Sequence, residues 1–298
     1  MHEADWIKRY IVPLVTADGA DALRDDVTLI SAPGPIIATM DTLVEGVHFL
    51  PTDPIDTVGQ KLIRVNVSDI HAKGAEPHEA LLSVAWPQMR DEKAFAQLMA
   101  GIARDLEDFG IALVGGDFVG TSGPLTLTLT LTGRCIGKAP VRRSGGVAGQ
   151  GLYLNGEIGW GALGLKAART QESAVVAHRY QVPRISPLFV AQIVADMASA
   201  SLDVSDGLLI DAQRLAQASD CGVRIALDRV PFAQDVESIE EMLEFCTAGD
   251  DYRVLIAAKS GNEIPGFIEI GSLTDSPGME LTVQGQQINP PSTLGFEH

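Results

Sequence analysis

Residues 124–134, PLTLTLTLTGR, alternate leucine with threonine almost without a break. In an extended chain successive side chains point to opposite faces, so the leucines form one face that must be buried. That predicts a strand lying with one face on a core, and helices are the usual cover for such a face. The clearest helix is DEKAFAQLMAGIARDLEDF, residues 91–109, with an Asp start, apolar spacing of three and four, and Gly110 as the stop. A second helix is predicted over 54–73. It runs into KLIRVNVSDIHAKGAEP, residues 61–77, where Asn66, Ser68 and Asp69 interrupt an apolar series. Small polar groups are costly to bury unless paired, so this helix bends, exposes a polar face, or carries a site.

The remaining pattern is mixed. A helix is expected over 4–17, kinked or ended near Pro13, followed by strands at 25–30, 35–41, 80–86 and 111–117. Residues 138–150, KAPVRRSGGVAGQ, are basic, rich in glycine and without apolar pattern, and a domain boundary is placed there. The second half then reads as strand 151–156, helices from about 160 and over 187–200, and strand, turn and helix start over 200–207. That last helix continues to 222, followed by strand 223–227, helix 235–246, and a turn and strand over 248–258. Helices and strands intermix in both halves without a regular β-α-β repeat, which is an α+β pattern.

Six aspartates recur at the ends of apolar runs: Asp26, Asp41, Asp69, Asp117, Asp203 and Asp206. Singly, each is better read as a turn or cap residue. Gathered in one place they would repel one another and require counter-cations, and hard oxygen ligands suit Mg²⁺ carrying nucleotide phosphates. The net charge of −17 argues against a nucleic-acid partner, since backbone affinity comes from clustered Lys and Arg. No apolar run reaches membrane-spanning length, and the acidic start MHEADW is wrong for a signal peptide. Three scattered cysteines, Cys135, Cys221 and Cys246, indicate neither a zinc site nor a disulfide framework, so a reducing cytoplasm is the expected setting. Gly159 to Gly164 spell G-x-G-x-x-G after a strand, yet the acid expected about 20 residues on is missing. A helix start packed through its glycines is the better reading.

The motifs DD (25–26), MDTLVEGVHF (40–49), KLIRVNVSDIHAKGAEP (61–77), LVGGD (113–117), RSGG (143–146), LDVSDG (202–207) and GDDY (249–252) stand in the order seen in the thiamine-monophosphate kinase family. The chain resembles that family from about Asp25 to Tyr252, with an echo at LGFEH near the end. VEGVHF and NVSDIHAKGAEP are the specific parts of the match. The resemblance implies the two-domain α+β (α/β) fold of the aminoimidazole ribonucleotide synthetase superfamily. Residues 1–137 would form a mixed-sheet domain that binds ATP and metal and dimerises through its sheet. Residues 138–298 would form an α/β domain completing an active site in the cleft between the two. It further implies ATP-dependent phosphorylation of thiamine monophosphate to thiamine diphosphate by a homodimer using several Mg²⁺ ions.

Position by position, the resemblance implies metal ligation by Asp26, Thr39, Met40, Asp41, Asp69, Asp117, Asp203 and Asp206, with Met40 acting through its carbonyl oxygen. It implies ATP contacts at Gly116, Asp117, Arg143 and Ser205, and contacts to the thiamine phosphate at His48, Asp250 and Phe296. No general base is expected, because the acceptor is already a phosphate oxygen. Four positions depart from the family's usual residues: Arg24 and Asp250 stand for glycine and glutamate, Met40 and Phe118 for threonines. The alternatives are another ATP-dependent enzyme of the superfamily, such as aminoimidazole ribonucleotide synthetase, or a relative that binds nucleotide without turnover.

Overall fold

A computed structural model describes residues 6–16 and 34–296. The strand expected at 25–30 and the candidate ligand Asp26 lie outside the described residues. The chain divides into two compact units, one built from residues up to Ile70 and Glu76–Cys135, the other from His71–Ala75 and the chain from Ile136 onward.

The first unit contains β1 (Ile36–Val44), α1 (Ile55–Ala72), β2 (Ala75–Pro87), α2 (Glu92–Asp108), β3 (Ala112–Thr121) and β4 (Thr126–Cys135). The sheet order is β1-β4-β2-β3, with β1 antiparallel to β4 and β2 parallel to β3. The alternation that opens the sequence is realised in β4: Leu127, Leu129 and Leu131 are fully buried, while Thr126, Thr128 and Thr130 stay half-exposed on the other face. Each such leucine contributes about 1.5–3 kcal/mol relative to an exposed one. The helices α1 and α2 pack closely because Gly101 admits the Asp56 carbonyl and Gly59 admits that of Leu98, leaving no room for a Cβ at either place. Arg64 and Gln60 of α1 close the contact on the buried carboxylate of Asp105, with Arg64 Nε donating at 2.6 Å and Gln60 Nε2 at 2.9 Å. The helix expected over 4–17 is a five-residue turn, Ile7–Ile11, and a short 3-10 turn, Val12–Leu14, whose Pro13 cannot continue a regular helix. Trp6 beside this segment lies 4.9 Å from Phe95 and 6.0 Å from Phe118, ring centre to ring centre.

The second unit contains β5 (Gly151–Asn155), α3 (Trp160–Thr170), α4 (Ala174–Gln181), α5 (Leu188–Met197), β6 (Ala200–Val204), α6 (Leu208–Ala218), β7 (Gly222–Ala226), α7 (Ile239–Thr247), β8 (Arg253–Ala258), β9 (Phe267–Thr274), β10 (Met279–Val283) and β11 (Gln286–Ile288). Seven strands make one mixed sheet in the order β11-β10-β7-β9-β5-β8-β6. Alternate residues feed two cores. Leu152, Leu154, Leu202, Leu255 and Ala257 meet α6 on one face, while Tyr153, Val254, Ile256 and Ala258 meet Val190 and Val194 of α5 on the other. Being covered on both faces, β8 reads from Val254 to Ala258 as an unbroken apolar run. No described helix is long and apolar enough to cross a membrane.

Candidate active site

In the first unit the site residues sit on β1, on the turn after it, on α1 and on β3. Thr39 and Asp41 occupy alternate positions of β1, in register with Leu131 and Leu129, and therefore face the helices. Asp69 on α1 meets Thr39 there: the Thr39 hydroxyl donates to its Oδ2 at 2.5 Å. Met40 points the other way, opposite Thr130, and is 62% exposed. His48 lies in the turn that follows. Its Nδ1 accepts the Val44 N–H at 3.0 Å, which leaves the proton of the neutral ring on Nε2. Its carbonyl takes a 2.9 Å hydrogen bond from Nζ of Lys61, a lysine only 1% exposed. The turn is held further by Glu45, which accepts Arg90 at 2.6 Å and the Leu125 N–H at 3.1 Å.

Asp117 does not join Thr39 and Asp69 on the helix-facing side. It is exposed and in register with Ser83, whereas its neighbour Phe118 turns inward, 5.3 Å from the Phe95 ring. The aromatic at 118 is thus explained by packing with Phe95 and Trp6. Gly116 passes so near the Leu82 carbonyl that no Cβ fits. Within α1, Asn66 is fully buried, gives its amide N–H to the Leu62 carbonyl at 2.9 Å, and leaves its Oδ1 without a partner among the described residues.

In the second unit the site is a knot at the end of β6. Asp203 is buried on β6 opposite Val254, and the chain then turns through Ser205 and Asp206 into α6. The Asp250 N–H donates to the Ser205 carbonyl at 2.8 Å, and the Phe296 N–H donates to that of Asp206 at 2.8 Å. Three candidate segments far apart in sequence are thereby tied together. Asp250 and Tyr252 both adopt positive φ, +67° and +51°, a conformation that costs a non-glycine residue free energy and persists only where its surroundings impose it. Tyr252 secures the turn, its hydroxyl donating to Asp250 Oδ1 at 2.8 Å. Arg143 is placed differently. Its carbonyl accepts Ser219 Oγ at the C-terminal end of α6, a helix of 11 residues and so about 16 Å long, while Ser205 and Asp206 stand at the other end.

Three residues essential to this arrangement escaped the sequence reading. Asp211, 2% exposed, accepts the N–H groups of Ser205 (3.1 Å) and Asp206 (3.0 Å) on Oδ2 and Arg214 on Oδ1 (2.8 Å). Arg214 also donates to Asp206 Oδ2 at 2.5 Å. Burial raises the Asp211 carboxyl to about 6 against the pull of these donors. Asp251, also 2% exposed, accepts the N–H groups of Gly159 (2.8 Å) and Gly161 (3.0 Å), and burial lifts it to about 7. The G-x-G-x-x-G run is therefore a helix start capped by an aspartate. Gly161 abuts the Gly249 carbonyl and Gly164 abuts Tyr180. An S-D-G turn followed by an acid one helical turn later was the available signal for Asp211. Asp251 stands inside the GDDY run, but nothing local marked it as the cap of a helix about 90 residues away.

The donors at the candidate metal positions are carboxylates and one hydroxyl, which suits a hard cation; the Met40 thioether does not and lies on the exposed face of β1. Among the described residues no three acidic, histidine or cysteine side chains already stand as a closed metal cage.

Two family models match, the AIR synthase related protein N-terminal domain over residues 24–135 and the corresponding C-terminal domain over 147–284. The thiamine-monophosphate kinase of Caulobacter vibrioides is 35% identical over 99% of this chain and 90% of its own length. The crystal structure of thiamine monophosphate kinase from Aquifex aeolicus superposes with a TM-score of 0.76 at 27% identity, covering 86% of this chain and 91% of that one. A structure described as AaThiL complexed with AMPPCP and TMP gives 0.75 at 26% identity, covering 86% and 85%.

Proposed function

Because this chain belongs to the thiamine-monophosphate kinase family, we propose that it transfers the γ-phosphoryl group of ATP to thiamine monophosphate, giving thiamine diphosphate and ADP. The observation that carries the proposal is the knot at β6. There Ser205 and Asp206, carried over as nucleotide and metal positions, share main-chain hydrogen bonds with Asp250 and Phe296, carried over as substrate positions.

The chemistry fits the residues. The attacking atom is a phosphate oxygen that needs no deprotonation, so the barrier lies in bringing two anions into line. Several Mg²⁺ ions would supply the neutralising charge, held by Asp26, Thr39, Asp41, Asp69 and the Met40 carbonyl, by Asp117 on the other face of the sheet, and by Asp203 and Asp206 in the second unit. The chain's own contribution is to hold its donors still. Thr39 orients Asp69, and Asp211 with Arg214 orients Ser205 and Asp206. Lys61 and Val44 fix the turn that presents His48. Gly116 and Arg143 would meet the ATP phosphates, and His48, Asp250 and Phe296 the thiamine phosphate. Residues 1–137 and 138–298 would then divide ATP and metal binding from completion of the site.

A cytoplasmic homodimer paired through the four-stranded sheet is the expected setting. In its support, the sheet face away from the helices carries exposed Ile36, Met40 and Val119, with β1 at an edge of the described sheet. The test is to incubate the protein with ATP, Mg²⁺ and thiamine monophosphate and separate the products by chromatography. Thiamine diphosphate formed only with metal is the expected result. ATP binding without product, or turnover of an aminoimidazole precursor instead, would reject the reading.

A further inference from the structure

Residues 211 and 214 lie about one helical turn apart on α6. Long helical side chains lean toward the N-terminus, so Arg214 reaches back over the turn that carries Asp206. The two residues divide the work there. Asp211 Oδ2 accepts the Ser205 and Asp206 N–H groups and so fixes the backbone of the turn. Arg214 Nη1 donates to Asp211 Oδ1 at 2.8 Å and to Asp206 Oδ2 at 2.5 Å, bridging the two carboxylates. One oxygen of Asp206 is thereby taken and the other left. Among the described residues Oδ1 has no hydrogen-bond partner, and the Asp206 side chain is 25% exposed.

A carboxylate can hold a cation through one oxygen or through both, and ions differ in which they accept. Mg²⁺ demands a compact, near-ideal octahedron, which the narrow bite of a two-oxygen carboxylate distorts. Ca²⁺ takes about six to eight oxygens in a flexible shell and accepts both from one carboxylate. We propose, on the reading of Asp206 as a metal ligand, that Arg214 sets ion selectivity: by occupying Oδ2 it leaves Asp206 a single oxygen for the metal and so favours Mg²⁺ over Ca²⁺. A guanidinium suits this task, because it stays charged wherever the protein is folded and its bond to a carboxylate is short and directional. Removing it has two effects that differ in kind. Loss of the positive charge strengthens the attraction for every divalent cation alike, whereas release of Oδ2 helps only the ion that can use it. The turn survives the change, since Asp211 holds it through main-chain N–H groups.

The test is competition of Mg²⁺, and separately of Ca²⁺, against Mn²⁺ bound to the full-length protein, followed by the electron paramagnetic resonance signal of the Mn²⁺ released. Weaker Mn²⁺ binding in Asp206→Asn ties the measured ion to this carboxylate. In Arg214→Met the ratio of Ca²⁺ to Mg²⁺ affinity should then rise about 10-fold. Arg214→Gln, which also removes the charge but keeps a polar side chain on α6, should show the same rise and stands in if the methionine variant does not fold. Arg214→Lys, still able to cover Oδ2, should stay near the parent. Arg224→Met, which removes a surface arginine paired with Glu280, should leave the ratio unchanged. Binding that depends on Asp206 but strengthens equally for both ions, or does not change, in the Arg214 variants overturns the selectivity role alone. Mn²⁺ binding that is absent, or indifferent to Asp206→Asn, overturns Asp206 as a ligand and the selectivity role with it.

Discussion

Asp69 is half-buried and held by the Thr39 hydroxyl at 2.5 Å. Asparagine can still accept that hydrogen bond, so Asp69→Asn should fold normally while losing the charge that a metal site needs. We expect turnover to fall about 100-fold or more, with a thermal midpoint within a few degrees of the parent. Near-normal turnover would remove Asp69 from the machinery. Asp251 supports a second prediction, about pH. Its carboxyl titrates at about 7 in the fold and at the ordinary value of 3.8 when unfolded. Between those values the folded form binds more protons than the unfolded one, so this group's stabilising contribution is complete below about 4 and is lost as pH rises toward 7. Asp251→Asn should flatten the difference in thermal midpoint between pH 5 and pH 8. An undiminished difference would place the titration elsewhere. The sequence reading gave no role to Asp251, whose partners are backbone N–H groups about 90 residues away, nor to Asp211, whose partners lie just upstream in the S-D-G turn. By contrast, Asp69 and Asp206 stood out as acids closing apolar runs.

The elements that read most clearly were those whose pattern is enforced by one buried face. The Leu-Thr alternation became β4, and the helix expected over 91–109 became α2, capped by Asp91, whose Oδ1 accepts the Ala94 N–H at 2.9 Å. The helix α4 had no counterpart among the expected elements. It is eight residues long, is capped by Ser173, and buries only Ala177 and Tyr180, too little for a periodic signal. The short N-terminal turns lost their expected helix to Pro13. The crossing of α1 and α2 was not visible either, because a glycine inside a helix reads as a weakness until its neighbour is known. Gly101→Ala tests it. A Cβ there must displace the Asp56 backbone, so the variant should lose about 1–3 kcal/mol by urea denaturation. A gain in stability, as expected of alanine in an isolated helix, would mean that the helices can separate at no cost.

For the whole molecule, two units of mixed helix and strand were legible, but the place of His71–Ala75 in the second unit was not, and the G-x-G-x-x-G run opens a helix that Asp251 caps. The face on which each candidate ligand lies was not legible. Asp117 and Met40 turn away from Thr39 and Asp69, a matter of strand register that a motif does not encode. The uncovered sheet face gives the prediction at this scale. Thr130→Lys places a charge beside Met40 in that face and should shift the particle from the mass of two chains to that of one by light scattering. A parent protein already at the mass of one chain would reject pairing through this sheet.

The two hydrogen bonds at the end of β6 have a kinetic consequence. They join residues brought close only after β8 has paired with β6 and the chain near Phe296 has returned to Asp206. Contacts of such long sequence separation bear the full entropy of closing their loops before they repay it. On refolding from denaturant, helical signal should therefore return ahead of nucleotide binding, and the interval between the two measures the time the chain takes to tie its last knot.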